Sequence, residues 1–344
     1  MNLHFFRRFV LPLALGLLSA CGGPGRPELV NPGIPDADTP DNGVTDVNLD
    51  APATPELGWQ YAIPQFSVDP RTEVQQCFFF DVPYDVPVNV NHIEIAQTTG
   101  THHMNIFRVR SIVNLDPSAA AVVMGGECWK PQNWKDWPLV INSQNEGHVD
   151  FKLPDGVAHV FQPHERLMLQ THYVNATTQK TPGVGKIFVN FNRIPNEQVQ
   201  ARLGTAFATN QNIRICPGDT SRSFETTCSF ARKDVTIFGA NGHYHSRGRR
   251  FTMSVFDPAS AAEVAPFYES VDWAEPVFER GLQVAAPAGG GIRYKCEFTV
   301  GPSDCGNPMD RCCFTFGGMV EFQEHCNAFV YYYPANETTD VNCF

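Results

Sequence analysis

Three groups of histidines have the residue types and spacing to hold a metal ion. These are the adjacent pair His102 and His103, the single His172, and the pair His243 and His245, which is separated by one residue. Side chains at positions i and i+2 of a strand point to the same face, so the last pair could chelate one ion. Adjacent side chains point to opposite faces, so the first pair requires a β-bulge or a strand end. A metal site is therefore the first hypothesis.

Each histidine also has an ordinary explanation. A lone strand histidine is more often a hydrogen-bonded or surface residue than a ligand, and His92, His148, His159 and His164 have no such pairing. Sequence motifs of other enzyme classes are absent. The sequence contains no Gly-x-Ser-x-Gly elbow, phosphate loop, Gly-x-Gly-x-x-Gly or His-Glu-x-x-His. A net charge of −11 and a pI near 5.4 argue against a nucleic-acid partner.

Short β-rich runs must position these histidines. The 27 Gly and 27 Pro residues, spread along the chain, argue for many turns and against long helices. The runs are 76–80, 88–95, 104–109, 166–174, 185–193, 234–238, 250–256, 291–300 and 328–333. Their length and spacing predict an all-β sandwich fold. Weak apolar periodicity in 195–201 places a domain boundary near residue 200, giving domains 58–199 and 200–344.

The N-terminus has the features of a bacterial lipoprotein signal. Arg7 and Arg8 precede a short apolar run, and Leu18-Ser19-Ala20-Cys21 resembles a lipobox. We expect residues 1–20 to be a signal peptide and Cys21 to be lipidated. The alternative is an ordinary secretory signal that happens to carry a cysteine.

The segment 21–57 predicts how the protein is attached. It is rich in Pro and acidic residues and contains no aromatic residue, which is typical of an extended tether. We expect a cell-envelope protein that contacts the membrane through its lipid anchor only. Gly rather than Asp after Cys21 resembles the outer-membrane address of such lipoproteins.

The remaining cysteines indicate disulfides. Eleven cysteines minus Cys21 leave ten, and an even number outside the cytoplasm predicts five bridges. A thiolate metal site is the alternative, but the close set Cys305, Cys312 and Cys313 lacks the two Cys-x-x-Cys pairs of a zinc ribbon.

The order of the motifs resembles a known enzyme family. The chain has His102-His103-Met104, then Leu-Gln-Thr-His-Tyr at 169–173, then the His-x-His pair, then Cys326-Asn327 entering an aromatic strand. This order resembles the copper type II, ascorbate-dependent monooxygenases, the family of peptidylglycine α-hydroxylating and dopamine β-monooxygenases. The resemblance covers about residues 60–344.

The resemblance implies two tandem jelly-roll-like β-sandwich domains, each supplying one copper site to a solvent-filled cleft. It implies that one copper is held by His102, His103 and His172, and that the other, where oxygen binds, is held by His243, His245 and a third ligand. The family places a Met before Cys-Asn as that ligand, whereas this chain has His325. A thioether favours Cu(I), whereas imidazole suits Cu(II) and zinc as well.

The resemblance also implies the disulfides Cys77–Cys128, Cys228–Cys343 and Cys296–Cys326. It gives no partners for Cys216, Cys305, Cys312 and Cys313. Asn241 and Phe329 replace an Arg and a Tyr that hold the carboxylate in peptide-hydroxylating members. Because the carboxylate would lose both partners, peptidylglycine is disfavoured as a substrate.

These observations predict a copper-dependent monooxygenase that hydroxylates an aliphatic C–H bond. It would use two copper ions, O2, a small-molecule substrate and an external reductant such as ascorbate. The alternative is a non-catalytic copper- or zinc-binding surface lipoprotein. A third hypothesis, zinc hydrolysis at the second site, requires a base, and Glu324 should face away from His325 because adjacent strand residues face opposite sides.

Overall fold

The structure is a computed structural model, and part of the chain lies outside the residues that it describes. It describes residues 49, 51–115, 122–124, 133, 135–144, 147–176, 182–219, 222–260, 262, 264–335 and 341–344. The predicted signal peptide, Cys21 and most of the predicted tether therefore lie outside the described residues. Among the residues that it does describe, no helix has the length and hydropathy needed to span a membrane.

Strands account for most of the described regular structure in residues 58–199, here called the first half. They are β1 Gly58–Val68, β2 Thr72–Asp81, β3 Val88–Gln97, β4 Thr101–Arg108, β5 Val122–Met124, β6 Leu139–Gln144, β7 His148–Lys152, β8 Val157–Phe161, β9 Arg166–Asn175 and β10 Gly183–Ile194. A short 3-10 helix, Asn196–Gln198, follows them.

Residues 200–344, here called the second half, continue the same pattern. The strands are β11 Ala201–Arg202, β12 Gly204–Thr209, β13 Arg214–Ile215, β14 Arg222–Ser229, β15 Val235–His243, β16 Gly248–Phe256, β17 Tyr268–Ser270, β18 Phe278–Ala286, β19 Gly291–Phe298, β20 Phe314–Phe316, β21 Gln323–Glu324, β22 Asn327–Tyr333 and β23 Val341–Cys343. A 3-10 helix, Pro308–Asp310, precedes β20. All the runs predicted from the sequence coincide with strands, so the all-β class is confirmed.

The described strands form five sheets. Two are built mainly from the first half: the sheet β1-β10-β3-β8-β11, where β7 also pairs with β3 and β11 comes from the second half, and the sheet β5-β2-β9-β4-β6. Three belong to the second half, with the orders β18-β15-β22-β12-β23, β14-β19-β16-β17 and β13-β20-β21. Two tandem sandwiches would need only four sheets, so the small sheet β13-β20-β21 is an addition that the sequence did not predict.

Strands on both sides of residue 200 are buried on both faces. Every residue of β4, β6 and β12 is buried, and so are all but one of β22. An antiparallel strand with one solvated face would alternate, so these strands are covered from both sides. One such contact is made by Phe151 of β7 in the first half. Its ring centroid lies 4.9 Å from that of Tyr331 in β22 and 5.5 Å from that of Phe278 in β18.

The halves are therefore in contact. The Tyr331 hydroxyl accepts a hydrogen bond from the backbone amide of Asn142 at 2.8 Å, and the Thr205 hydroxyl donates one to the Leu139 carbonyl at 2.6 Å. The described part of 44–344 forms one compact unit, and one apolar cluster continues across residue 200. The boundary at 199 and 200 stays a prediction.

The disulfides agree with the resemblance where they can be compared. Cys228–Cys343 and Cys296–Cys326 are both present. Cys77 is disulfide-bonded, but Cys128 lies outside the described residues. The unassigned cysteines pair as Cys216–Cys313 and Cys305–Cys312, so the adjacent residues 312 and 313 have different partners.

Candidate metal centre

A β-bulge in β4 allows its two adjacent histidines to serve one site. The register of β4 against β9 shifts between Thr101 and His103, which is the irregularity that an adjacent pair requires. His103 then lies directly opposite His172. Both residues of the pair are buried, each with 6% of its surface exposed.

The His-x-His pair straddles the end of a strand. His243 is the last residue of β15, and His245 follows in the turn that leads to β16. Tyr244 between them is buried in the second-half core, where its ring packs beside Phe251. A Cβ at Gly248 would collide with the Tyr244 ring, so a glycine is needed for this turn to close.

His325 lies between β21 and β22. The next residue, Cys326, is bridged to Cys296 of β19, so the chain is held covalently at this point. Its ring centroid lies 4.4 Å from that of His245 and 5.3 Å from that of His243. The position at which the resemblance expects a thioether therefore does face the other two imidazoles.

The structure brings all six predicted histidines into one cluster, called here the His cluster. His102 occupies its middle, with ring centroids at 5.3 Å from His103, 5.2 Å from His172, 5.1 Å from His243 and 5.9 Å from His245. None of the six is more than 6% exposed. The solvent-filled cleft that the resemblance implied is therefore not seen, because the halves close over the histidines.

Ring nitrogens in the His cluster lack protein partners. Nε2 of His102, His243 and His245 and Nδ1 of His325 are buried and have no hydrogen-bond partner among the described residues. A buried polar atom without a partner carries a desolvation cost of about 1–3 kcal/mol, so four such atoms at one place call for a ligand. In the described part of the chain, one group of three offers ring nitrogens within 4.8 Å of one another, namely His102, His243 and His245.

Oxygen acceptors fix the orientation of the second-half imidazoles. Nδ1 of His245 lies 3.0 Å from the Gln323 carbonyl, and Nδ1 of His243 lies 3.3 Å from the Gln144 side-chain oxygen. An oxygen of this kind only accepts, so Nδ1 carries the proton and Nε2 keeps its lone pair. Metal-binding histidines are usually held by such an outer contact.

The first-half imidazoles have a carboxylate behind them. Nε2 of His172 lies 2.6 Å from Oε2 of Glu73, and its Nδ1 lies 3.3 Å from Nε2 of His103. Asn105 then contacts Nδ1 of His103 at 3.2 Å. His103 and His172 thus face one another, with a polar partner on the far side of each ring.

Buried amides join the rings of the two halves, and the sequence did not predict them. Asn105 donates to Gln170, Asn142 donates to Asn105, and Gln144 donates to Asn142 and to Asn241. The available signal was a spacing of two residues, since Asn105 follows His103 and Gln170 precedes His172 at that interval.

Burial keeps five histidines of the His cluster neutral. Desolvation, together with neighbouring imidazoles, holds the pKa values of His102, His103, His243 and His245 well below the ordinary value, and it lowers the pKa of His325 to about 3. Neutral imidazole is the form that binds metals. The His cluster is therefore ready to bind a cation at neutral pH.

Glu324 is not placed as a catalytic base. Its buried carboxylate accepts hydrogen bonds from the backbone amides of His245 at 3.0 Å and Arg247 at 2.9 Å. Burial raises its pKa to about 8. The carboxylate holds the turn after His243 in place, and the structure gives zinc hydrolysis with Glu324 as the base no support.

A small cavity adjoins the His cluster. It is lined by Gln75, His103, Asn105, Asn142, Gln170, Phe207, His243, Gly318, His325, Asn327 and Phe329. Its volume of about 10 Å³ is room for about one water molecule. The lining combines amides and imidazoles with the rings of Phe207 and Phe329, and it contains no carboxylate or guanidinium.

Comparisons with known proteins identify no relative. No family model and no curated protein matches the chain. Solved structures that align include the major capsid protein P2 from bacteriophage PM2, at 8% identity and TM-score 0.26, covering 81% of this chain and 99% of that one. Another is the CBM22-1-CBM22-2 tandem domain of Paenibacillus barcinonensis Xyn10C, at 10% identity and TM-score 0.19, covering 80% and 83%. These similarities are too weak to indicate a shared fold or function.

Proposed function

We propose that this protein is a copper-dependent monooxygenase that hydroxylates an aliphatic C–H bond with O2 and an external reductant such as ascorbate. The observation that carries the metal part of the proposal is the His cluster, in which four buried ring nitrogens lack a protein partner. The oxygenase part rests on the motif resemblance. Imidazole is a ligand type that copper favours, and copper would supply one-electron and oxygen chemistry at this place.

The proposal includes a fold and two ligand sets. It assigns a jelly-roll-like β-sandwich to each half, which is supported by the two larger sheets in each half and by the presence of two apolar clusters. The ligand sets are His102, His103 and His172 for one copper, and His243, His245 and His325 for the other. This division follows the motif resemblance.

The protein's own residues would hold and shield the site. Glu73, Gln144 and the Gln323 carbonyl fix three of the rings, so little side-chain entropy is lost when an ion binds. The amide network and the closed halves exclude bulk water. The cavity has room for about one water molecule, so a larger substrate would require the site to open.

A second candidate is a copper- or zinc-binding surface lipoprotein without turnover. Two observations favour it: His325 stands in place of a thioether, and the cavity is too small for an organic substrate. In both cases we propose a lipid anchor at Cys21 and a location in the cell envelope, at the outer membrane.

Metal analysis combined with oxygen uptake separates the candidates. The mature chain with Cys21→Ser would be purified, loaded with Cu²⁺, desalted and measured for metal content and for ascorbate-dependent O2 consumption. We expect two copper ions per chain and uptake that His243→Ala abolishes. Bound copper without uptake above that of His243→Ala would support the non-catalytic candidate, and the absence of tightly bound copper or zinc would refute both.

A further inference from the structure

The six imidazoles do not separate in space into one group of three from each half. The group whose ring nitrogens lie within 4.8 Å of one another takes His102 from the first half and His243 and His245 from the second. In each of the three residues it is Nε2 that is buried and without a partner among the described residues.

Both adjacent histidines of β4 approach the second half. The ring centroid of His103 lies 4.7 Å from that of His243, but its Nε2 lies 3.3 Å from Nδ1 of His172. The ring centroid of His102 lies 5.1 Å from that of His243 and 5.9 Å from that of Trp273. His102 is the residue of the pair whose ring nitrogen groups with those of His243 and His245.

The hydrogen bonds at Nδ1 of His243 and His245 support grouping these two residues with His102. The protons on Nδ1 of His243 and His245 are held by oxygen acceptors, which leaves two lone pairs directed away from those acceptors. One of these acceptors, Gln144, belongs to the first half, so the contact that orients His243 itself crosses between the halves. Without a cation, the unpartnered nitrogens stay buried at a cost.

We propose that His102, His243 and His245 bind one metal ion together, so that this ion fastens the two halves to each other. The inference rests on the proposed function for the presence of a metal, and it changes the assignment of His102. His103 and His172 then form a separate pair backed by Glu73. Binding of this ion stabilises the closed arrangement, because only that arrangement assembles the three ligands.

The test counts Cu²⁺ in variants of the mature chain carrying Cys21→Ser. If the wild type binds two ions, His102→Ala and His243→Ala should each lose one, and the double variant should also lose only one because both residues serve the same ion. His102→Ala combined with His172→Ala should lose both. His164→Ala, whose side chain is 63% exposed, is the matched control and should lose none.

The opposite pattern overturns the inference. If the His102 and His243 double variant loses both ions while the His102 and His172 double variant loses one, His102 belongs with His172. That result would leave the proposed copper protein intact, whereas a wild type that binds no metal would refute the proposed function itself. If the wild type binds one ion, its loss in both His102→Ala and His243→Ala supports the inference, and its retention in either refutes it.

A second measurement covers variants that fold poorly. His102→Gln and His243→Gln keep most of the side-chain volume, and thermal unfolding of each would be recorded with and without Cu²⁺. We expect the Cu²⁺-induced rise in the unfolding midpoint to fall in both variants to the same extent, and not to fall further when they are combined. Additive losses in the combined variant would contradict a shared ion.

Discussion

At the scale of single residues, His325 determines which oxidation state of copper the second-half imidazoles would favour. It contacts His243 and His245 and leaves Nδ1 without a partner among the described residues. Because imidazole stabilises Cu(II) relative to a thioether, His325→Met should make copper at this place easier to reduce. Redox titration of the copper-loaded chain should show a higher reduction potential in the variant.

The control for this prediction is His325→Ala. It should weaken copper binding at His243 and His245 while leaving copper that depends on His172 in place. Identical metal content and identical spectra in His325→Ala and the wild type would show that His325 is not a ligand.

The six histidines could be found from sequence because their type and order carry the information. The residues that hold these histidines in place could not be found from the sequence. Gln144 and Asn142 are ordinary amides at the polar end of β6, and only the folded chain brings them to His243 and Asn105. Glu73 is likewise separated from His172 by 99 positions, and nothing in local spacing pairs the two.

At the scale of elements, one disulfide fixes the strand that follows His325. Cys296–Cys326 spans 30 residues and joins β19 to the start of β22, whereas Cys305–Cys312 spans seven. Loop entropy predicts a loss in the free energy of unfolding of about 3.6 kcal/mol for removal of the first bridge and about 2.4 kcal/mol for the second. Denaturant unfolding of the Cys296→Ser/Cys326→Ser and Cys305→Ser/Cys312→Ser variants measures both.

The two variants should differ at the His cluster as well as in stability. Freeing residue 326 should weaken copper binding, because His325 loses its fixed neighbour, while the Cys305→Ser/Cys312→Ser variant should bind copper as the wild type does. Equal loss of copper in both variants would mean that the bridge acts through overall stability alone.

Each predicted β-rich run overlaps a strand, but the prediction missed long strands such as β1 and β18 as well as very short ones. The β-rich runs and the need for a bulge at His102 and His103 were both read correctly. The sheet β13-β20-β21 was missed because its strands have two or three residues, too few to show alternation.

At the scale of the whole molecule, contact between the halves could not be predicted. Strands such as β4 and β6 are buried on both faces although half or more of their residues are polar. Polar residues in a strand usually mark a solvated face, so nothing in the sequence marks these strands as covered from both sides. The solvent-filled cleft implied by the resemblance is not seen in this arrangement.

Phe151 tests whether this contact supports the His cluster. It is fully buried against Phe278 and Tyr331 of the second half. Phe151→Ala should cost about 3–5 kcal/mol in the free energy of unfolding and should also weaken Cu²⁺ binding, because the ligands come from both halves. Phe161→Ala is the matched control, since Phe161 is equally buried but packs on Trp59 and Phe191 of the first half. A similar loss of stability without a change in copper affinity is expected there, and equal copper loss in both would contradict the role given to the contact.

The proposed attachment of the molecule involves its N-terminal sequence. The proposed lipobox ends at Cys21, and the segment 21–57 has the composition of a tether. Its last residues meet the body, where the Pro52 carbonyl accepts a hydrogen bond from Gln60 and the Ala53 carbonyl accepts one from Asn190. The lipid would thus be linked to the body through roughly 30 residues without a core of their own. Cys21→Ser should therefore release an intact, copper-binding body from the membrane fraction, as measured by envelope fractionation and immunoblotting. If the variant still sediments with the envelope under high salt, the attachment does not depend on a lipid at this cysteine.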